Sequence, residues 1–128
     1  MDRRVVTACD RRIASETDMT IADGFFATDI RVGTIVEALP FPEARKPAIK
    51  VAIDFGPEIG RKWSSAQITT YYDPGSLVGR QVIAVMNLGS KKIAGFTSEV
   101  LVLGVMESPT VVNLLMPDRP TPNGARIA

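Results

Sequence analysis

The sequence predicts an all-β domain: a five-stranded Greek-key barrel with a short helix between strands 3 and 4 and an extension at each terminus. Three observations support this prediction. Apolar residues alternate with period two in several segments, proline and glycine clusters separate those segments, and one short segment ends in a helix-stopping glycine. The chain has 128 residues, of which 45% are hydrophobic and 23% charged, and this fits one ordinary globular domain.

The N-terminal part lacks the alternation found later. Residues 1–18 show no sustained period, so we predict a dispensable or disordered extension followed by a domain over residues 19–128. Asp23 is expected to cap a short helix, because an aspartate side chain accepts hydrogen bonds from first-turn amides. Phe25 and Phe26 would anchor that helix, either in the core or at a subunit interface.

Three strands are predicted in the first half of the domain. Residues 30–39 alternate with period two, and Gly33 within them suggests a bulge or sharp bend. Three prolines make residues 40–47 a loop, because proline fixes φ and lacks a backbone donor. Residues 49–55 and 61–68 then predict the second and third strands.

The second half begins with a break in the strand pattern. Residues 71–79 predict a short helical turn that ends at a glycine. Residues 81–87 and 100–105 predict the fourth and fifth strands, separated by a polar loop over residues 88–99. Five strands with a short helix after the third is the arrangement of the OB-fold.

The C-terminal residues exceed what a five-stranded barrel needs. Residues 111–116 are apolar and the tail from Pro117 is proline-rich. An apolar strand without a partner would be an exposed edge, and a second copy of the chain would cover it. We therefore predict a homodimer with a dimerisation segment at about residues 106–128. The alternative is a sixth strand packed against its own barrel.

The composition argues against catalysis. The chain contains no histidine, which removes the commonest general base, the commonest zinc ligand and the Ser-His and Cys-His nucleophile pairs. No two carboxylates form a motif for paired acid and base chemistry, and no glycine-rich phosphate loop with its lysine occurs. We predict no catalytic residue, no metal site and no cofactor.

Charge and hydropathy limit the classes of partner that the protein can have. Net charge is +1, and residues 19–128 hold eleven basic against ten acidic side chains, so phosphate binding would have to come from local patches. The longest apolar run, residues 100–106, is too short to cross a bilayer. The single cysteine, Cys9, excludes an intrachain disulfide. These features predict a cytoplasmic protein without membrane insertion.

Several segments, in the correct order, match motifs of a known family. They are residues 29–35, 64–68, 77–80, 87–88 and 92–99. The sequence there resembles the tRNA-binding OB domain that is attached to some aminoacyl-tRNA synthetases and also occurs in free-standing relatives. Among the free-standing relatives, the match is to bacterial export-related chaperones, carried by residues 41–45, 64–69, 93–96, 98–104 and 122–124.

This resemblance implies a homodimer that binds unfolded or precursor polypeptides, with export machinery as a further partner and a surface shared with tRNA binders. One position departs from the tRNA-binding relatives. They tend to have a proline and a further basic residue in the loop at residues 87–95, where Ala94 stands here.

Candidate peptide-binding residues lie on the first loop and the third strand. Phe41 and Trp63 would stack on bases or fill a peptide pocket, with packing in the core as the alternative for both. Ser64, Ser65 and Gln67 form a polar row, part of which should face a groove and hydrogen-bond an extended backbone.

Candidate tRNA-binding residues fall into two groups. Four cations lie in the two loops that flank the ligand face of an OB-fold, with solvated surface charge as the alternative: Arg45, Lys46, Lys91 and Lys92. The other four lie in the matching motifs: Arg31, Asn87, Ser98 and Glu99. Three of these, Asn87, Ser98 and Glu99, would read an unstacked base, whereas Glu99 would alternatively hold Lys92 or Arg31 in place.

Three functions remain open on the sequence alone. The preferred one is a passive polypeptide-binding chaperone that uses no ATP. The alternative is a structure-specific tRNA or RNA binder without a chaperone role, whose affinity would fall steeply with salt. The third is a docking module for a synthetase-like partner.

Overall fold

The computed structural model describes residues 16–128, with side chains from residue 21 onward. Helix α1 spans Glu16–Ala27, so Asp23 lies well inside the helix, and its predicted role as the cap is wrong. Residues 16–18, which we assigned to the extension, belong to this helix. The rest of the predicted extension, residues 1–15, lies outside the described residues.

The remaining elements are one short helix and nine strands within the described range. They are β1 (Ile30–Pro40), β2 (Ile49–Asp54), β3 (Arg61–Ala66), α2 (Pro74–Leu77), β4 (Gln81–Val85), β5 (Lys91–Ile93), β6 (Phe96–Ser98), β7 (Leu101–Val102), β8 (Gly104–Ser108) and β9 (Val111–Leu114). Five of the strands form one antiparallel sheet in the order β3-β2-β1-β4-β7. This sheet curls into a nearly closed barrel, which confirms the predicted fold class.

Strand β1 lies at the centre of the sheet, and its curvature has two local causes. The register with β2 shifts between Ile35 and Glu37, so the bulge lies there and not at Gly33, as we predicted. Gly33 is needed for a different reason. A Cβ atom at this position would lie 2.5 Å from Ile53 Cγ2 and 2.8 Å from the Phe55 ring. Only glycine allows β2 to pack this closely over β1.

Helix α2 follows β3, as predicted, and covers one end of the barrel. The Asp73 side chain accepts a hydrogen bond from the Ser76 amide at 3.0 Å, and the Ser76 hydroxyl lies 3.3 Å from the Asp73 amide, which forms a capping box. Leu77 is fully buried in the barrel core with Val51 and Val82. The packing of this helix therefore fixes where β4 begins.

The C-terminal segment does not form an unpartnered strand. Strand β9 pairs with β8 in a two-stranded hairpin, and the following tail returns along β1. There the Gly124 amide donates to the Val32 carbonyl at 2.7 Å, and the Val32 amide donates to the Ala125 carbonyl at 3.0 Å. Strand β9 thus has a partner strand within its own chain, so the premise from which we predict dimerisation is wrong.

The segment predicted as a polar loop, residues 88–99, contains a second hairpin. Strands β5 and β6 pair across a turn at Ala94 and Gly95, which have φ of 48° and 82°. Two successive residues with positive φ match the right-handed twist of a two-residue hairpin turn. No helix within residues 16–128 is long and apolar enough to span a membrane.

Candidate ligand-binding grooves

The β5–β6 hairpin lies over the outer face of the sheet and is held there by an aromatic cluster. The Phe96 ring packs edge-on against Phe41 at 5.4 Å and Trp63 at 5.9 Å, between ring centroids. Lys50 Nζ lies 4.6 Å from the centroid of Phe41, within range of a cation–π interaction. Phe41 is only 3% exposed, so the structure favours core packing for this ring, whereas Trp63 is half-buried.

Glu99 and Ser98 join the hairpin to the free edge of β3. The Trp63 amide donates to Glu99 Oε1 at 2.9 Å, and the Glu99 amide donates to the Trp63 carbonyl at 2.7 Å. The Ser65 amide donates to Ser98 Oγ at 3.0 Å. These side chains supply the acceptors that a neighbouring strand would provide. Both residues therefore close the barrel in this structure.

The side chains of Arg31 and Asn87 also make hydrogen bonds to other parts of the same chain. Asn87 Oδ1 accepts from the Asp29 amide at 2.9 Å, and Asn87 Nδ2 donates to the Ala27 carbonyl at 2.8 Å. Arg31 Nε lies 2.8 Å from Asp29 Oδ1, and its Nη1 donates to the Gly124 carbonyl at 3.0 Å. Asn87 thus fastens the end of α1 to β4, and Arg31 fastens the tail to β1. The structure therefore pairs Arg31 with Asp29 and not with Glu99.

A first groove, which we call the cationic groove, lies between the loop after β1 and the β5–β6 hairpin. It measures about 940 Å³. Its lining residues are Glu43, Ala44, Arg45, Lys46, Ala48, Ser65, Gln67, Lys91, Lys92, Ile93 and Ala94. The four loop cations selected from the sequence all line this groove, with a single acidic residue, Glu43, among them. The groove therefore suits a ligand with acidic or phosphate groups.

A second groove, the apolar groove, lies on the other side of the hairpin and measures about 760 Å³. Its lining residues are Ser65, Ala66, Gln67, Ile68, Leu88, Gly89, Ser90, Lys91, Ile93, Ser98, Val100, Leu101, Val102, Leu103, Gly104, Met106, Pro109 and Val112. None of them is acidic. Three are large apolar side chains that are well exposed: Leu88, Leu101 and Met106, the last at 68%.

We did not predict the apolar groove from the sequence. Its walls come from residues 88–90, which lie in the predicted polar loop, and from the run after Val100, which the sequence predicts as one buried strand. The apolar run at residues 100–106 was the sequence feature that could have indicated this groove. Seven consecutive residues without a polar side chain, 100–106, exceed what the one buried face of a short strand can hold.

The two grooves share Ser65, Gln67, Lys91 and Ile93. Ser65 and Gln67 are thus the part of the predicted polar row that faces ligand space. Ser64 points to the opposite side and is 2% exposed, because side chains alternate along β3, so its predicted contact with a ligand is not made from this position. Residues 16–128 contain no cluster of three or more acidic, cysteine or histidine side chains that could hold a metal ion.

The fold and the two grooves define an OB-type ligand-binding domain, and the comparisons agree. Residues 30–126 match the family model described as "Putative tRNA binding domain", and the chain belongs to that family. Curated relatives include methionine–tRNA ligases. That of Methanosarcina mazei is 32% identical over 123 residues, which are 95% of this chain and 17% of the ligase. That of Pyrococcus abyssi is 36% identical over 105 residues, 82% of this chain and 14% of the ligase. The chain thus spans less than a fifth of these ligases.

Among solved structures, the chain is similar to chaperones named CsaA. The CsaA of Bacillus anthracis is 50% identical with a TM-score of 0.80, over 84% of this chain and 96% of that one. The CsaA of Picrophilus torridus is 48% identical with a TM-score of 0.77, over 84% and 97%. A MetRS-related protein from Pyrococcus horikoshii is 27% identical with a TM-score of 0.73, over 84% and 95%. These matches confirm the resemblance noted in the sequence.

Proposed function

We propose that the protein is a CsaA-like molecular chaperone that binds unfolded or precursor polypeptides in the cytoplasm for protein export. It acts without catalysis, cofactor or ATP. The observation that carries this proposal is the apolar groove beside the edge of β3, with exposed Leu88, Leu101 and Met106. Contiguous exposed apolar surface is typical of interaction sites. An extended chain binds there through backbone bonds and apolar contacts, which tolerate many client sequences.

The surroundings of the grooves favour polypeptide over tRNA. A single-stranded nucleic acid is usually held by exposed aromatic faces on which its bases stack. Here Phe41 is buried, and the half-buried rings of Trp63 and Phe96 pack edge-on against one another in the aromatic cluster. The motif residues Asn87, Ser98 and Glu99, which could read a base, are bonded within the protein.

The second candidate is tRNA binding in the cationic groove, and the observation in its favour is the convergence of Arg45, Lys46, Lys91 and Lys92. Four cations around one groove would attract a phosphate backbone. The near-neutral net charge of +1 implies that this binding is weak at physiological salt. Polypeptide and tRNA would then both contact the residues that the two grooves share.

The experiment is a pair of titrations of the full chain, against a labelled unstructured peptide and against labelled tRNA, at about 50 and 200 mM salt. We expect peptide binding that varies little with salt. Leu101→Ser should weaken it severalfold, whereas Val78→Ser, an exposed apolar position outside the apolar groove, should not. Tight, salt-sensitive tRNA binding without peptide binding would reverse the preference between the two functions.

We further propose that the chaperone is a homodimer that contacts export machinery. The support is apolar exposure on the β8–β9 hairpin, where Val105 is 52% exposed and does not line the apolar groove. Val105→Asp should halve the mass measured by light scattering, whereas Leu39→Asp, at the end of β1, should leave it unchanged. A monomeric wild-type chain would contradict this proposal. Removing residues 111–128 is a poorer test, because the tail also pairs with β1.

A further inference from the structure

The edge of β3 opens where the hairpin residues no longer cover it. The amides of Trp63 and Ser65 are bonded to Glu99 and Ser98, as described above. The next residue on this side, Gln67, makes no backbone hydrogen bond within the described part of the chain. An uncovered strand edge is a template for pairing with another chain.

The orientation of the Gln67 backbone follows from burial. Ala66 and Ile68 are buried and Gln67 is exposed, so the alternation of β3 continues beyond the last paired residue. The N–H and C=O groups of Gln67 therefore point to the same side as those of Ser65, into the space between β3 and the hairpin. Both residues line both grooves. The open edge thus runs along the junction of the two grooves.

We propose that an extended polypeptide binds by adding a strand to β3 at Ser65–Gln67. This inference rests on the proposed chaperone function and specifies how the client is held. Main-chain hydrogen bonds at the edge would provide affinity that does not depend on sequence. The carbonyl of Ser65 and the amide and carbonyl of Gln67 are the groups on the β3 side of this pairing.

The two grooves also determine which side chains the added strand prefers. Successive side chains of a strand point to opposite faces, so one alternate set would enter the apolar groove and the other would meet the cationic groove. The apolar groove has no acidic lining residue, and the cationic groove has four cations against Glu43. Charge complementarity therefore points to a segment in which apolar residues alternate with acidic ones.

Backbone methylation distinguishes strand addition from binding by side chains alone. The probe is an alternating valine–glutamate peptide, compared with two derivatives N-methylated on every valine or on every glutamate. Alternate amides of a strand point to opposite edges, so only one derivative loses the bonds to β3. We expect that derivative to bind at least about tenfold more weakly than the other. Equal affinities would overturn strand addition and leave the chaperone proposal intact.

A charge-reversed peptide and two protein variants complete the test. An alternating valine–lysine peptide should bind more weakly than the valine–glutamate peptide, and equal binding would contradict the predicted acidic preference. Gln67→Pro removes the amide donor, while Gln67→Ala keeps it, so only the proline variant should lose affinity. If the proline variant does not fold, the methylated peptides still distinguish strand addition from binding by side chains alone. Binding of neither this peptide nor any unfolded client would instead overturn the proposed function.

Nuclear magnetic resonance of the labelled full chain locates the contact directly. Addition of the valine–glutamate peptide should shift the Gln67 amide signal and slow its hydrogen exchange, while the amide of Gly75, in α2 and outside both grooves, stays unchanged. If tRNA protects the Gln67 amide and the peptide does not, strand addition is wrong.

Discussion

Trp63 and Glu99 close the barrel through two hydrogen bonds between one residue of β3 and one residue that follows β6. The Glu99 carboxylate accepts from the Trp63 amide at 2.9 Å, and the Trp63 carbonyl accepts from the Glu99 amide at 2.7 Å. One of the two bonds therefore uses a side chain where a regular sheet would use a carbonyl. Because the same residue anchors the β5–β6 hairpin, the closure of the barrel and the position of both grooves depend on it.

Replacing Glu99 by alanine should destabilise the protein. The change removes the acceptor of the partly buried Trp63 amide, which costs about 1–3 kcal/mol when no other acceptor replaces it. Glu99→Gln keeps an oxygen in position and should retain most of the stability. Urea denaturation of both variants measures the difference, with Glu43→Ala as an exposed control. A fully stable Glu99→Ala variant would show that water replaces the carboxylate.

The barrel was predictable from the sequence because its strands are marked locally. Alternation places residues 30–39, 49–55 and 61–68 in strands, and the prolines of residues 40–47 exclude a strand there. The β5–β6 hairpin was missed because Ala94-Gly95 lacks the Asn-Gly or Asp-Gly signal of a two-residue turn.

The sequence predicts groove-lining residues from loop composition for the four cations and from strand alternation for Ser65 and Gln67. The four cations come together because loops at the same end of a barrel are neighbours. Ser98 and Glu99 are predicted to bind a ligand because they match positions of the family motif, and the sequence does not show which strand edge is left without a partner. Their hydrogen bonds depend on how β3 and the hairpin meet, which is a tertiary relationship between residues more than thirty positions apart.

Gly33 is required by packing, so Gly33→Ala should be destabilising. The added methyl group would lie 2.5 Å from Ile53 Cγ2 and 2.8 Å from the Phe55 ring, both in the fully buried core. Overpacking of this kind typically costs about 1–3 kcal/mol. Gly24→Ala in α1 is the matched control, since nothing lies within 4 Å of its added Cβ, and it should be neutral or slightly stabilising. Equal thermal stabilities of the two variants would contradict this account of β1.

The role of the cationic groove can be tested at Lys92. If tRNA binds there, Lys92→Gln should weaken binding and reduce the slope of log affinity against log salt by up to about one. Arg119→Gln removes the same charge from a tail position whose side chain is 90% exposed and outside the cationic groove, and should have little effect. The two variants are compared by titration with labelled tRNA at several salt concentrations. Equal losses would mean that only net charge matters.

The pKa of Tyr71 should depend on Glu107. The Tyr71 hydroxyl donates to Glu107 Oε1 at 2.5 Å, and this hydrogen bond, ahead of desolvation and the nearby negative charge, raises the pKa of Tyr71 above its ordinary value of 10.0. Glu107→Gln should therefore lower this pKa. Nuclear magnetic resonance of ring-labelled tyrosine follows the titration, with Glu58→Gln as a control at another exposed acid.

The raised pKa also determines how this contact affects stability with pH. The folded state holds the Tyr71 proton more tightly than the unfolded state, so the contribution is complete below the ordinary pKa of 10.0. It is then lost as the pH rises through the folded-state value. Urea denaturation at pH about 9 and about 11 should show a larger loss of stability in the wild type than in Glu107→Gln. Equal losses would mean that the hydrogen bond at the surface does not couple the Tyr71 proton to folding.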